Sequence, residues 1–239
     1  MSENLRVIRF AIIVCLICSL MVSAAAVGLR DRQEANLLLD KRKNILKAVG
    51  LLTPGMTEAT VNETYDDSIV GLVINPDGSV VEGRDPADVD PEKEPDLMFV
   101  YERVDDGNVT AYTIPVSGKG LWSTLYGYLA LDADLNTVKG LTFYQHGETP
   151  GLGGEIEKPW FQENFVGKKI LGEDGSLRSV SVVKGSAADK YHDPRELEHY
   201  VDGISGATIT SKGVTALLHK DLEMYEPYFS KLRSSGGKA

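Results

Sequence analysis

The sequence predicts an α+β protein in which one N-terminal transmembrane helix is followed by a mainly antiparallel sheet with flanking helices. Three observations support this fold class. An uncharged apolar run occupies residues 10–29, strand-like segments follow one another between residues 97 and 144, and residues 211–232 carry apolar side chains at helical spacing. The chain therefore combines a membrane segment with a folded part of ordinary domain size.

The apolar run 10–29 is long enough to cross a bilayer. At 1.5 Å per residue it is about 30 Å long, which matches the hydrocarbon core. A cleaved signal peptide is the alternative, since Ala24-Ala25-Ala26 offers a small-residue cleavage site. The run exceeds the usual apolar region of a signal peptide, which favours a retained anchor. Charge leaves the orientation open, because arginines lie on both sides: Arg6, Arg9, Arg30 and Arg32.

Charge and cysteine content exclude several classes of function. The net charge of −10 would be repelled by a phosphate backbone, so we expect no nucleic-acid partner. Both cysteines, Cys15 and Cys18, lie inside the apolar run, where ordinary membrane-helix residues are favoured over a redox pair. No cysteine follows them, so the rest of the chain has neither a disulfide nor a thiolate metal site, and we predict no metal centre.

The sequence is predicted to divide into five parts. A stalk helix over residues 31–49 should continue from the membrane helix, because apolar residues recur at helical spacing until Gly50. Residues 82–96 are dominated by Asp, Glu and Pro, which predicts an exposed loop. The five parts are a short tail (1–9), the transmembrane helix (10–29), the stalk helix with a small subdomain and the acidic loop (30–96), the main soluble domain (97–232) and a flexible C-terminal tail (233–239).

Short strands with turn signals between them fill the first half of the main domain. Asp105-Asp106-Gly107-Asn108 separates two strand-like segments, which predicts a β-hairpin. The predicted strands are 97–103, 109–114, 125–131, 137–144 and 179–184. A short helix is expected at 158–164, a loop at 185–206 and a final helix at 211–232. The buried face of that last helix should carry Val214, Leu217, Leu218, Leu222 and Tyr225.

Residues 202–214, DGISGATITSKGV, have the composition of an anion-binding loop. Small residues open directly onto a helix, whose free N–H groups and partial positive charge suit a phosphate. We expect Thr210 or Ser211 to cap the helix and Thr208 to present its hydroxyl just before it. A plain capping loop is the alternative, and physical chemistry by itself predicts no covalent modification of Thr208.

Residues 146–156, HGETPGLGGEI, are rich in glycine. So little side-chain bulk would let the backbone lie along the edge of a flat ring, with Leu152 pressing on its face. On composition alone, a tight turn between a strand and a helix is favoured. His146 is expected to be exposed, and His192 and His199 to lie on a charged surface without binding zinc.

Three motifs carry a resemblance to a known family. Residues 202–208, DGISGAT, resemble the D-x-x-(S/T)-G-A-T signal that a flavin transferase recognises. Residues 148–153, ETPGLG, and 118–122, GKGLW, are similar to two further hallmarks of FMN-binding domains. These hallmarks occur in the NqrC subunits of sodium-translocating NADH:quinone reductases and in the sister flavoproteins of the Rnf ferredoxin–NAD reductases. Residues 36–51 and 140–155 are closer to the first group, and the likeness covers nearly the whole chain except the acidic loop.

The resemblance implies that residues 97–232 form an FMN-binding domain and that the FMN phosphate is esterified to Thr208. It implies that the flavin transferase recognises Asp202 and that no residue is catalytic beyond the flavin. Glu148 and Glu155 are expected to lie near the ring and to lower its potential. Besides Thr208, the implied FMN contacts are Ser205, Gly206, Ala207, Thr210, Ser211, Glu148, Thr149, Gly151, Leu152, Gly153 and Trp122.

The resemblance also implies a role and a place in the cell. The protein would relay electrons from NADH towards ubiquinone within a six-subunit, sodium-pumping membrane complex, without being catalytic alone. No glycine fingerprint for a dinucleotide occurs in the sequence. The expected location is the bacterial inner membrane, with one membrane pass and the soluble domain in the periplasm. Two alternatives stay open: the Rnf flavoprotein, and an anchored module without redox activity that binds an anion reversibly.

Overall fold

The computed structural model describes residues 3–91 and 93–236. The chain divides between residues 41 and 42 into two compact units, and helix α1, Glu3–Ala48, runs through this boundary. The second unit contains the strands and the other helices. Those helices are α2 (Glu58–Ser68), α3 (Pro159–Glu163), α4 (Pro194–Leu197) and α5 (Thr208–Ser234).

Helix α1 contains the predicted apolar segment. It includes an 18-residue stretch with a mean hydropathy of 2.7 and no buried residue, so by length and composition it is able to cross a membrane. The predicted N-terminal apolar helix is therefore confirmed. A single helix runs from residue 3 through the predicted tail, membrane helix and stalk, because the chain meets no effective helix breaker before Gly50. Residues 1 and 2 of that tail lie outside the described part.

Five antiparallel strands form the main sheet, as the fold class predicts. Their spatial order follows the chain, and each strand pairs with its sequence neighbour. The turn between the second and third strands places both Asp106 and Gly107 at positive φ, the geometry of a type I′ hairpin. The strands are β1 (Ile69–Ile74), β2 (Met98–Asp105), β3 (Asn108–Lys119), β4 (Thr124–Asp132) and β5 (Val138–Gln145).

The sheet begins earlier in the chain than the predicted main domain. Strand β1 lies inside the 30–96 segment, yet all six of its residues pair with β2. The acidic loop is also less exposed than predicted. Pro86 is buried against Gly71 of β1, where a Cβ atom would lie 2.9 Å from the proline ring, and Val89 is buried as well. Apolar burial by these two residues explains why the loop packs on the sheet.

Helix α5 covers one face of the sheet. Its predicted apolar face is confirmed, since Val214, Leu217, Leu218, Leu222 and Tyr225 are all buried in the core. The helix continues through Ser234, so it enters the predicted C-terminal tail, of which residues 237–239 lie outside the described part.

The first turns of α5 lie very close to the end of β3. A Cβ atom on Gly118 would overlap the Leu217 side chain, and one on Gly213 would lie 2.5 Å from the Lys119 carbonyl oxygen. Glycine at both positions therefore permits this approach. As a result, the start of the helix sits beside the loop that follows β3.

Two buried carboxyl groups tie the rest of α5 to the sheet. Oδ2 of Asp221 accepts a hydrogen bond from the Ser117 N–H at 2.6 Å, and Oε1 of Glu102 accepts one from the Tyr228 hydroxyl at 2.9 Å. Burial raises the pKa of both carboxyl groups, and the hydrogen bonds only partly offset that effect.

The end of α1 packs on the opposite face of the sheet. Ile45, Leu46 and Val49 are fully buried there, and the Arg103 guanidinium donates to the Val49 carbonyl oxygen at 3.1 Å. Gly140 of β5 lies directly under the Ala48 carbonyl group, where a Cβ atom would overlap it. The sheet is therefore covered on both faces.

A second, parallel sheet joins two very short strands, β6 (Ser181–Val182) and β7 (Tyr200–Val201). The strand predicted at 179–184 is thus only two residues long. The predicted loop 185–206 contains both α4 and β7, which contradicts the simple loop assignment. Elements of two to four residues leave no periodic pattern in a sequence, and long-range pairing rather than local propensity defines them.

Candidate flavin site at the start of helix α5

Thr208 is the first residue of α5. The chain turns sharply before it, because Gly206 has a φ of +75° and the Ala207 N–H donates to the Ile204 carbonyl oxygen at 3.1 Å. The prediction that Thr210 or Ser211 caps the helix is wrong, because the left-handed turn at Gly206 starts the helix earlier. Ala207 is the N-cap and makes no side-chain hydrogen bond, so the first N–H groups receive no cap from it.

A small cavity lies beside the exposed Thr208. Its volume is about 80 Å³, and its lining combines apolar residues with two lysines. The Ser211 hydroxyl is buried and has no hydrogen-bond partner among the described residues. Unpaired donors next to positive charge suit an anionic ligand. The lining residues are Val182, Val183, Lys184, Ile204, Thr208, Ser211 and Lys212.

Glu148 is a buried carboxylate that joins two loops to α5. Its Oε1 accepts from the Trp122 N–H at 2.9 Å, and its Oε2 accepts from the Thr210 hydroxyl at 2.5 Å. Burial raises the pKa of Glu148, but hydrogen bonds from Thr210 and from the amides of residues 121–123 outweigh burial and hold that pKa below its ordinary value. The carboxyl group is therefore ionised at neutral pH.

Residues 149–152, Thr-Pro-Gly-Leu, form a tight turn. The N–H groups of Leu152 and Gly154 donate to the Thr149 carbonyl oxygen at 3.1 and 2.9 Å, and Gly151 has a φ of +75°. Proline followed by a glycine at positive φ is the pattern of a type II turn. The turn brings Leu152 against Gly206, where a Cβ atom would lie 2.8 Å from Leu152 Cδ2. The two glycine-containing motifs therefore meet at Gly206, two residues before Thr208.

Large apolar side chains on these segments face solvent. Trp122 is 71% exposed, Ile209 is 56% exposed, and Leu121 and Leu152 are each 43% exposed. Several such residues on neighbouring segments indicate a contact surface for a ligand or partner. Trp122 and Leu152 are among the predicted flavin contacts. Leu121 and Ile209 are not, because a single apolar residue in a loop or helix gives no signal of its exposure.

Asp202 and Gly203 fix the loop that precedes the turn. Oδ1 of Asp202 accepts from the Ala187 N–H at 2.6 Å, and the Gly203 N–H donates to the Gly185 carbonyl oxygen at 2.9 Å. A Cβ atom on Gly203 would overlap the Val183 carbonyl oxygen. Asp202, Ser205 and Gly206 nevertheless remain exposed, whereas Ala207 is buried.

Several predicted side-chain environments differ from the structure. The His146 side chain is only 11% exposed, and its Nδ1 accepts from the Glu148 N–H at 3.2 Å. His146 is therefore partly buried, and His199 is buried, with Nδ1 2.8 Å from the Lys169 carbonyl oxygen. The surface predictions for these two histidines are wrong, because neighbouring backbone groups supply buried partners that local sequence does not reveal. No group of three metal-ligating side chains occurs in the described ranges.

The two glutamates predicted beside a ring both have partners within the chain. Both oxygens of Glu148 are bonded to protein donors, so this carboxylate is part of the scaffold. Oε2 of Glu155 accepts from the Trp160 indole N–H at 3.1 Å. Glu155 lies in a short 3-10 helix, Gly153–Glu157, that follows the glycine turn.

Comparisons with known proteins agree with this geometry. Residues 120–223 match the model of the FMN-binding domain family. NqrC of the Na(+)-translocating NADH-quinone reductase from Pseudomonas aeruginosa is 42% identical over 91% of this chain and 91% of its own length. The corresponding protein from Vibrio anguillarum is 35% identical over 98% of both chains.

Solved structures extend the likeness to the fold. NqrC from Parabacteroides distasonis is 38% identical and superimposes with a TM-score of 0.72, over 84% of this chain and 97% of that one. NqrC from Shewanella oneidensis is 28% identical with a TM-score of 0.70, over 82% and 98% of the two chains. The chain belongs to the NqrC family of Na(+)-translocating NADH-quinone reductase subunits.

Membership of the NqrC family favours the sodium-pump group over the Rnf group that shares its motifs. The FMN-binding match begins at Gly120, so it includes Trp122, both glycine-containing turns and most of α5. All the predicted contact residues therefore lie within residues 120–223 of this chain, which match the FMN-binding domain.

Proposed function

We propose that this chain is a membrane-anchored flavoprotein that carries FMN as a phosphoester on Thr208. Within a sodium-pumping NADH:quinone reductase, it relays electrons from NADH towards ubiquinone. The observation that carries the proposal is the place of Thr208, an exposed hydroxyl at an uncapped helix start, beside the unpaired and buried Ser211 hydroxyl. Family membership and the FMN-binding match support the same cofactor.

The residues around Thr208 fit a phosphate. The first N–H groups of α5 lack a side-chain cap, and the helix start adds partial positive charge. Ser211 supplies a hydroxyl in the same cavity, and Lys184 and Lys212 supply positive charge at its lining. These groups would hold the phosphate while Thr208 Oγ1 carries the ester bond.

The exposed apolar side chains fit a flat aromatic ring. Leu152 is held against Gly206 by the glycine turn. The backbone of Trp122 is held by the hydrogen bond from its backbone N–H to the Glu148 carboxylate. FMN, when bound, supplies the electron-transfer chemistry. The chain supplies position and burial: Leu152, Trp122 and Ile209 would cover part of the ring and exclude water from it.

Two groups of partners follow from the proposal. The flavin transferase would recognise the exposed segment from Asp202 to Thr208, whose shape is fixed by the bonds of Asp202 and Gly203 to residues 183–187. In a complex of six subunits, neighbouring subunits would deliver electrons to the flavin and accept them from it near the exposed side chains of Trp122, Leu152 and Ile209.

Helix α1 would anchor the chain in the bacterial inner membrane, with the folded domain in the periplasm. A cofactor outside the cytoplasm is lost when it dissociates, so a covalent bond has a clear advantage there. No cysteine follows Cys18 in the sequence, which is compatible with an oxidising compartment.

The test is the mass of the denatured full chain, produced with and without a co-expressed flavin transferase. The proposal predicts an added mass of one FMN less one water, the mass of a phosphoester, only with the transferase, and its loss in Thr208→Val. Thr60→Val, an exposed threonine on α2, is the matched control and should keep the flavin. A chain that is coloured when folded but unmodified after denaturation would support the reversible anion-binding alternative instead.

A further inference from the structure

The Glu148 carboxylate is enclosed by donors from two separate parts of the chain. Oε1 faces the backbone of the loop after β3, where it accepts from the Trp122 backbone N–H. The neighbouring amides of Leu121 and Ser123 also help to lower the pKa of this carboxyl group. Oε2 faces the first turn of α5, where it accepts from the buried Thr210 hydroxyl. Glu148 itself belongs to a third segment, just before the glycine turn.

Two glycines provide the space that this carboxylate occupies. A Cβ atom on Gly120 would lie 2.6 Å from Oε1, and one on Gly153 would lie 2.6 Å from Oε2 and 2.5 Å from the Thr210 hydroxyl oxygen. Neither glycine has the positive φ that would require glycine for its backbone conformation. Their lack of a side chain is therefore explained by the carboxylate between them.

The same three segments carry the exposed side chains of the flavin site. Trp122 is on the loop after β3, Leu152 is on the segment that contains Glu148, and Thr208 and Ile209 are on the first turn of α5. A further bond between the loop after β3 and the segment of Glu148 runs from the Gly147 backbone N–H to the Ser123 hydroxyl at 2.5 Å. The carboxylate is thus the common point to which all three are attached.

We propose that Glu148 is a positioning residue, which clamps residues 120–123 and 149–153 to the first turn of α5 and so assembles the flavin site before flavin arrives. This inference rests on the proposed function for its consequence, because the site it assembles is the one around Thr208. The clamp itself is a property of the chain without flavin, and it can be measured there.

The first arm of the test measures the clamp in the full chain without transferase, by hydrogen exchange of the amides of residues 121–123. Thr210→Val removes one donor at nearly constant volume, and Glu148→Ala removes the acceptor. We expect exchange to rise about tenfold in Thr210→Val and further in Glu148→Ala, since one hydrogen bond to a charged group is lost in the first and all of them in the second. Thr210→Ser retains the hydroxyl and should restore slow exchange.

The second arm measures flavin attachment and the visible flavin spectrum after co-expression with the transferase. Thr210→Val should lower the attached fraction or shift the spectrum, and Thr210→Ser should recover both. Glu102→Gln is the matched control, because Glu102 is also buried and also accepts a hydroxyl of α5, at the distant Tyr228. It should leave both readouts unchanged.

Each outcome decides one of the two proposals. Unchanged exchange in Thr210→Val overturns the clamp, and so does faster exchange with unaltered flavin attachment and spectrum. Faster exchange together with altered flavin readouts, both rescued by Thr210→Ser, supports it. If the wild-type chain takes no covalent flavin at all, the proposed function fails, while the exchange arm still decides whether the clamp exists.

Discussion

Helix α5 donates a side-chain hydrogen bond to a buried glutamate near each of its ends. Near its start Thr210 donates to Glu148, and near its end Tyr228 donates to Glu102. The pKa of Glu148 lies below its ordinary value and that of Glu102 above it, although both carboxyl groups are buried. Two things differ: Glu102 is enclosed more deeply by protein and, among the described residues, has the tyrosine hydroxyl alone to oppose the effect of burial. Glu148 lies nearer the surface and also receives backbone N–H groups.

This comparison separates two uses of a buried carboxyl group. At the start of α5, an ionised group organises loops around a site that faces solvent. Near the end, a group with a raised pKa joins the helix to an apolar core. Substitutions at the two glutamates should therefore affect stability and flavin binding in different proportions.

The largest expected effect comes from Glu148→Ala. This substitution removes the charged carboxylate that accepts both hydrogen bonds. The Trp122 backbone N–H and the Thr210 hydroxyl are then left without an acceptor. We expect the free energy of unfolding to fall by about 3 kcal/mol. Glu102→Gln should change it by less than about 1 kcal/mol, because an amide can still accept the tyrosine hydroxyl. Urea unfolding of the full chain in detergent, followed by circular dichroism, measures both. Equal losses would remove the distinction between the two ends.

An added methyl group beside the clamp should have the next largest effect. Gly153→Ala places a Cβ atom 2.6 Å from Oε2 of Glu148, so the carboxylate must move. We expect a loss of about 2 kcal/mol in the free energy of unfolding, together with reduced flavin attachment. Gly154→Ala is the control, since its Cβ would meet its nearest neighbour, the Thr149 carbonyl oxygen, at 3.1 Å. An equal loss in both variants would show that the overlap with Glu148 is not the cause.

The two glutamates should have opposite effects on the pH dependence of stability. The pKa of Glu102 is raised on folding, so its contribution is present at low pH and is lost as pH rises through the folded pKa. The pKa of Glu148 is lowered, so its contribution is present at neutral pH and is lost as pH falls through the folded pKa. Relative to Glu102→Gln, the wild type should lose stability as pH rises from acid to neutral.

Relative to Glu148→Gln, the free energy of unfolding of the wild type should fall as the pH is lowered from neutral into the acid range. The two differences should therefore have opposite signs over the acid range. Denaturant unfolding of the three chains at a series of pH values measures both. Two differences of the same sign would contradict the assignment of charge at the two ends of α5.

The smallest expected effect on stability is that of Asp202→Asn. The amide oxygen can still accept the Ala187 N–H, so the free energy of unfolding should change by less than about 0.5 kcal/mol. Flavin attachment should nevertheless fall, because the transferase would no longer meet a carboxylate. Intact mass and urea unfolding of the same preparation separate these effects. Full flavin attachment would show that the charge of Asp202 is not recognised.

Strong periodic or turn signals make much of the fold predictable. The apolar face of α5 from Val214 to Tyr225 has helical spacing, and Asp106-Gly107 fits a type I′ turn. Both signals come from residues that are close in sequence, and the same residues determine the helix and the turn that form. Strand β7, by contrast, exists only through pairing with β6, and residues 69–74 join the main sheet through pairing with β2.

The site is predictable by motif but not by geometry. The motifs identify the two glycine-containing turns, yet the predicted helix begins too late, because nothing in the sequence marks Gly206 as left-handed. The burial of Glu148 cannot be inferred, since its donors are a backbone N–H and a hydroxyl far away in the sequence. Gly120 and Gly153 give no separate signal, because glycine serves a turn equally well.

The most direct test of the central claim is to locate the flavin within the chain. The full chain is co-expressed with a flavin transferase, denatured, digested and analysed by mass spectrometry of its peptides. The account predicts that one peptide carries the added FMN phosphoester and that fragmentation places it on Thr208, with no such peptide in Thr208→Val. An unmodified Thr208 peptide, or FMN on a different residue, would contradict it.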